Sequence, residues 1–316
     1  MAIGMNSRQA AFLGTLSVLM LVATAWAYVA SPALREDDGK MRVMATFYPL
    51  YYFASEIGGN RTHVDSLIPF NSEPHSWEPA PSDIVRADKA KVFVFNGAGI
   101  EPWVGKLLGT LQNRDSMKVV DSSKGIDALK GDAENPTALN PHFWIDPILA
   151  KRQVDNILAG LEAADPAGAA YYEERAGGLK TRLDRLDSDF REGLANRTKD
   201  TIVTTHEGFD YMAVRYNFSA RSVLGISPNQ EPSVKKIVEI VDVVEEHGLD
   251  VVFGEPVYSD KFMRTVADEV GHRTGRNVRV LVLDGIHGRA GPHAGMDYFQ
   301  IQHDNLSNLE IGLGVP

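Results

Sequence analysis

Cysteine is absent from all 316 residues. That excludes disulfides, thiolate zinc sites, iron–sulfur clusters, a cysteine nucleophile and an N-terminal cysteine for lipidation, so any metal site must be built from His, Asp and Glu. An excess of basic charge is lacking too. The 32 Lys and Arg against 42 Asp and Glu give a net charge of −10, the wrong sign for gripping nucleic acid phosphates through the overall field. No dinucleotide fingerprint or phosphate-cradling loop is present: Asn96-Gly97-Ala98-Gly99 runs into Ile100-Glu101 without the third glycine or the lysine. At 44% hydrophobic, 23% charged and 9% aromatic, the remainder is ordinary globular composition, long enough for one large domain or two of moderate size.

One long hydrophobic run stands apart. Ala10–Ala30 is uncharged and mostly apolar, follows Arg8, and precedes the charged stretch Arg35–Lys40. A basic flank before such a segment is an export signal, and Ala25-Trp26-Ala27 offers small residues in a cleavage-like pattern. As a helix the run would reach about 31 Å, enough to cross a bilayer core. Residues 1–30 are therefore expected to be a signal peptide or an N-terminal membrane anchor, giving a periplasmic or cell-surface protein.

Beyond Lys40, short β-rich runs alternate with amphipathic stretches. Strands are expected at Val43–Phe47, Val64–Ile68, Val92–Phe95 and Lys118–Asp121, and again at Thr201–Thr205, Ala220–Leu224, Val251–Gly254 and Val278–Leu283. Helices are expected at Glu101–Gln112, Ile148–Ala163, Ser233–Glu246 and Asp260–His272. The alternation predicts an α/β fold of two lobes, each a four-stranded, mainly parallel sheet flanked by helices. Between them, Pro166–Ala195 carries Leu179, Leu183, Leu186, Phe190 and Leu194 on one helical stripe, with Asp165-Pro166 as its start. It reads as one long backbone helix joining lobes at 41–165 and 196–316. Gly177-Gly178 weakens it, at about 1 kcal/mol each relative to Ala.

Three of the 9 histidines sit in unusual company. His75 lies in the proline-stiffened loop Glu73–Asp83, and His142 in Asn140-Pro141-His142-Phe143-Trp144-Ile145-Asp146-Pro147. His206 follows the strand at Thr201–Thr205, and Asp284 follows Val278–Leu283, both where parallel sheets carry functional groups. Three neutral imidazoles and one carboxylate complete a tetrahedral site for Zn²⁺. Each alone is ordinary: a histidine after a strand is usually a hydrogen-bonded structural residue, and Asp there a turn or helix cap. Glu207 and Glu255 are alternative ligands or partners that orient an imidazole. His287, His293 and His303 lie close in sequence but repeat no clear ligand spacing; they are read as surface histidines, with weak metal affinity as the other reading. Trp77, Trp103 and Trp144 are read as packing.

At these residues the sequence resembles the solute-binding receptors of zinc and manganese ABC importers, often called cluster A-I. The resemblance rests on Phe47-Tyr48-Pro49-Leu50, Pro74-His75 with Glu78-Pro79 and Pro81-Ser82-Asp83, and Asn96-Gly97 with Gly99, Glu101 and Trp103. It continues through Pro141-His142 with Trp144 and Asp146-Pro147, Thr205-His206 with Phe209 and Tyr211, and Glu231-Pro232-Ser233. Phe253 with Glu255-Pro256 and Leu283-Asp284 complete it. It implies two lobes joined by one helix, a single metal in the cleft held by His75, His142, His206 and Asp284, and delivery to an ABC permease with its ATPase.

In that family His at the third position goes with zinc and Glu with manganese, so His206 favours zinc, with Glu207 as its neighbour and Mn²⁺ as the alternative cargo. The histidine- and acid-rich loop of many zinc members is missing, since Ser122–Asn140 is short and contains no histidine. The expected function is capture of one Zn²⁺ with no catalysis, binding weakening as acid protonates the imidazoles. The rivals are a manganese receptor, a metal-stabilised surface adhesin, and a zinc hydrolase using Glu207 or Glu255 as base.

Overall fold

The computed structural model describes residues 39–131, 137–228 and 231–316; the expected signal or anchor at 1–30 lies outside them. Eight strands form among the described residues, one at every expected place. They are β1 (Met41–Ala45), β2 (Thr62–Ser66), β3 (Val92–Phe95), β4 (Lys118–Asp121), β5 (Thr201–Thr204), β6 (Ser219–Ser222), β7 (Val251–Gly254) and β8 (Arg279–Val282). They pair in two four-stranded sheets, ordered β2-β1-β3-β4 and β6-β5-β7-β8, and every pairing is parallel. The two halves thus share one topology without repeating residues.

Parallel strands need cover on both faces, and helices provide it. They are α1 (Tyr48–Gly58), α2 (Pro81–Ala87), α3 (Val104–Thr110), α4 (Pro147–Ala164), α5 (Ala169–Gly193), α6 (Asp210–Tyr216), α7 (Val234–Glu246), α8 (Lys261–Thr274) and α9 (Tyr298–Gly312). The sequence reading placed α3, α4, α5, α7 and α8, and missed α1, α2, α6 and α9. Two of those missed, α2 and α6, are only seven residues long, too short to show a helical period. The helix α4 starts where Pro147 can occupy its first turn and the Asp146 carboxylate accepts from the amides of Ile148 and Leu149, at 2.8 and 3.1 Å.

The connecting helix differs slightly at its start. Pro166–Gly168 is a 3₁₀ turn, and α5 proper begins at Ala169. Asp165 does not cap it through its side chain, because its carboxylate is taken by Arg61 at 2.7 Å and the Tyr172 hydroxyl at 2.7 Å. The expected stripe is buried as a unit: Leu179, Leu183, Leu186, Phe190 and Leu194 join Tyr172 and Ala176 against the core. This core is continuous from one half to the other, containing Val43, Phe93 and Trp144 together with Ile202, Phe253 and Leu283. A second, smaller cluster lies between α7, α8 and the sheet of the second half. The helix is therefore a strut packed along a shared core.

Gly177 and Gly178 occupy the exposed side of α5, and a Cβ at either position meets nothing within 4 Å. Replacing each by alanine is expected to raise the unfolding free energy by about 0.5–1 kcal/mol. A melting temperature higher by roughly 2 °C per substitution checks this.

Candidate metal site

The functional side chains sit past the carboxyl ends of the strands, the edge at which parallel α/β sheets place their ligands. His75 is on the loop after β2, held by Glu73, whose carboxylate accepts from the amides of His75 at 2.7 Å and Ser76 at 2.9 Å. His142 leads into a 3₁₀ turn at Phe143–Ile145. The Pro141 carbonyl before it accepts from Asn96 Nδ2 at 2.9 Å. Asn96 is fixed in turn by Glu101, a buried carboxyl that accepts from the Asn96 amide at 2.9 Å and from the Thr46 hydroxyl at 2.6 Å. Burial raises Glu101 to about 7, against the opposing pull of these donors. The Asn96-Gly97…Glu101 pattern thus positions a histidine some forty residues downstream.

His206 follows β5, and Gly208 leaves room for it: a Cβ at 208 would lie 2.6 Å from His206 Nε2. His287 comes from the turn after β8. Together His75, His142, His206 and His287 each offer a nitrogen within 4.8 Å of the others. His142, His206 and His287 are buried; His75 is partly buried, beside a cleft of about 670 Å³ lined also by Pro141, Glu207 and Lys236.

Hydrogen bonding fixes two tautomers. His142 Nδ1 is 2.8 Å from Asn140 Oδ1. That amide is oriented by Asp210, whose carboxylate accepts from Asn140 Nδ2 at 2.8 Å. His206 Nδ1 is 2.6 Å from the carboxylate of Glu255, just past β7. Both Nδ1 atoms face acceptors and carry the proton, so both Nε2 atoms present lone pairs. Those two Nε2 atoms lie 3.1 Å apart, and His75 Nε2 lies 3.2 Å from that of His142. Two lone pairs cannot bond one another. A tetrahedral ion with bonds of about 2.05 Å sets its ligand atoms about 3.3 Å apart, close to these separations.

Burial disfavours the charged form at three of the rings: His75 is lowered to about 3, and His142 and His287 are held well below the ordinary imidazole value. Proton competition at His75, His142 and His287 therefore sets in at lower pH than at an ordinary imidazole. Burial raises Glu255, opposed by His206.

The remaining expected residues divide. Glu255 stands behind His206, and Glu207 lines the cleft outside the imidazole cluster. Asp284 is buried but turned away: its carboxylate accepts from the Ile286 amide at 2.7 Å and faces His293 Nδ1 at 2.6 Å. The view of His287 and His293 as surface residues is corrected, since each is only 1% exposed. His287 belongs to the cluster, and neither ring nitrogen has a hydrogen-bond partner. The rule that singled out Asp284, a position just past a strand, extends to His287 once the turn Asp284-Gly285-Ile286 is allowed to reverse the chain. Ile286 adopts φ +53°, a left-handed conformation costing a β-branched residue about 1–3 kcal/mol. Trp144 is packing with one added duty, its indole N–H donating to the Gly285 carbonyl at 2.7 Å.

A family profile described as "Zinc-uptake complex component A periplasmic", ZnuA, matches residues 43–312. The high-affinity zinc uptake system protein ZnuA of Bacillus subtilis (strain 168) is 33% identical over 286 residues, covering 87% of this chain and 88% of that protein. The zinc-binding lipoprotein AdcA of Streptococcus pneumoniae serotype 4 is 28% identical over 308 residues, 93% of this chain but 60% of AdcA. Among solved structures, the laminin-binding protein Lmb of Streptococcus agalactiae, titled a bifunctional protein with adhesin and metal transporting activity, superposes with a TM-score of 0.78. It is 27% identical, over 87% of this chain and 99% of that one. The Zn(II)-bound ZnuA-like domain of Streptococcus pneumoniae AdcA gives a TM-score of 0.73 at 27% identity, over 87% and 99%. With the family profile matched from the first strand to the last helix, this chain belongs to the ZnuA family of zinc-uptake components.

Proposed function

We propose that this protein is the extracytoplasmic receptor of a zinc importer, taking one Zn²⁺ between its two lobes and handing it to an ABC permease driven by its ATPase. The observation that carries the reading is the pair of lone pairs facing each other across 3.1 Å from His142 and His206, each held in that tautomer by an acceptor behind it. A cation between them turns this repulsion into two bonds. His75 and His287 supply the third and fourth nitrogens, two from the first lobe (41–165) and two from the second (196–316), bridged by 166–195. An all-imidazole set suits zinc, whereas manganese prefers oxygen ligands. Four nitrogens also leave no position for the metal-bound water a hydrolase requires. Export rests on the family's description as periplasmic and on the apolar run Ala10–Ala30. Among the described residues no helix is long and apolar enough to cross a membrane.

Titrating the chelator-stripped chain with Zn²⁺ against a calibrated competitor dye is expected to show one tight site per chain. His142→Ala and His206→Ala each weaken it by more than about 100-fold, and Glu255→Ala, behind the ligand, by about 10–100-fold. Unchanged affinity in either histidine variant contradicts the reading.

Acid should also destabilise the metal-free fold. His75, His142 and His287 hold their protons less tightly when folded than the ordinary value near 6.5. The unfolded chain therefore binds more protons below about pH 6.5, and stability present above that value is lost as pH falls toward the folded values. Glu101 and Glu255, raised by burial, act in the opposite sense, so the imidazole contribution is read as a difference: between pH 7 and pH 5, urea unfolding is expected to lose about 1–2 kcal/mol more in the wild-type chain than in a His142→Ala variant.

A further inference from the structure

The turn after β8 offers two candidate fourth ligands, Asp284 and His287, and the structure treats them oppositely. Asp284 is locked on every side. Its amide donates to Asn305 Oδ1 at 2.7 Å, its carbonyl accepts from Asn305 Nδ2 at 2.8 Å, and its two carboxylate oxygens serve the Ile286 amide and the His293 ring. His293 is itself held at the far side, its Nε2 facing the Asp304 carboxylate at 2.9 Å. A buried ring flanked by two carboxylates donates from both nitrogens, so it clamps Asp284 in place.

The hydrogen bond from Ile286 into Asp284 holds Ile286 in its left-handed conformation, and that reversal sends His287 into the imidazole cluster. Gly285 completes the device sterically. A Cβ there would stand 2.8 Å from Glu255 Oε2 and from the His287 ring, atoms with no hydrogen-bond partner of their own in the case of Oε2 and both His287 nitrogens.

We propose that the Asp284–His293 pair is a positioning device that keeps the carboxylate off the ion and commits the fourth position to His287, so that the cargo site is all nitrogen and discriminates against manganese. The inference rests on the zinc-receptor reading and assigns the residues that set its selectivity. Asp284 acts through the turn and His293 through Asp284; neither touches the ion. Freed from His293, the Asp284 carboxylate can turn toward the cluster and offer the oxygen that manganese prefers.

The test uses the full chain, stripped and loaded with Co²⁺ as a spectroscopic probe, alongside Zn²⁺/Mn²⁺ competition. His287→Ala should change the visible Co²⁺ spectrum and narrow the zinc-over-manganese ratio by about tenfold or more. His293→Leu, distant from the ion, should move both readouts in the same direction while still taking one Zn²⁺ per chain. His293→Gln, which keeps a donor toward Asp284, should restore them. If His287→Ala leaves spectrum and ratio unchanged while Asp284→Asn alters both, Asp284 is the ligand and the inference is overturned. If His293→Leu lowers only the melting temperature, the pair is merely structural and the inference fails as well. A wild-type chain that takes no Zn²⁺ overturns the receptor reading, and this inference with it; normal zinc uptake with either preceding result overturns this inference alone.

Discussion

The organisation of the molecule depends on one unfavourable contact. Two imidazole Nε2 atoms, on His142 from the first half and His206 from the second, point lone pairs at each other across 3.1 Å. Neither can relieve the conflict by switching tautomer, because Asn140 and Glu255 hold each proton on Nδ1. Burial also makes charge on the His142 ring costly. A cation between them turns the repulsion into two bonds. On the proposed reading, the acceptors behind the rings belong to the recognition of the ion as much as the rings themselves.

Holding such a pair together takes force from elsewhere, and the shared core supplies it. The strut α5 lies along that core with its leucine stripe buried, so the halves are not free modules on a flexible tether. Around the cleft the halves are also sewn directly. Arg215 pairs with Asp146, the Arg289 amide donates to the Phe70 carbonyl at 2.6 Å, and the Arg289 guanidinium lies over the Phe70 and Tyr48 rings. Gly288 permits the approach there, since a Cβ would lie 2.0 Å from the Phe70 carbonyl oxygen. The Trp144 indole and the Gly285 carbonyl join in the same way, tying the turn that carries His287 to the segment that carries His142. On the proposed reading, release of the ion would require these links to loosen together with the ligands.

Much of this was legible in the sequence. Alternating β-rich runs found all eight described strands, because buried parallel strands are short and apolar by necessity. The stripe from Leu179 to Leu194 found the strut, and prolines and strand ends singled out His75, His142 and His206, which the fold brings close together. The helix at Tyr48–Gly58 escaped because its aromatic residues read as strand-like, and Asp210–Tyr216 because seven residues carry too little periodicity. The fourth member of the cluster was harder. Asp284 met the strand-end rule, but the route to His287 runs through a left-handed isoleucine, a conformation no propensity anticipates and one held by Asp284 itself. The same turn shows why His293 read as a surface residue. Its burial comes from two carboxylates separated from it by nine and eleven positions, a pairing visible only once the chain is folded.

The central claim concerns protons, and protons can be observed. Histidine-selective ¹⁵N–¹H correlation spectra of the metal-free chain near pH 7 report which ring nitrogen of His142 and His206 is protonated. The account predicts Nδ1–H with an unprotonated Nε2 on both, and a shift of both Nε2 resonances to metal-bound values on adding one equivalent of Zn²⁺. An Nε2–H tautomer at either ring, or Nε2 resonances indifferent to zinc, would contradict it.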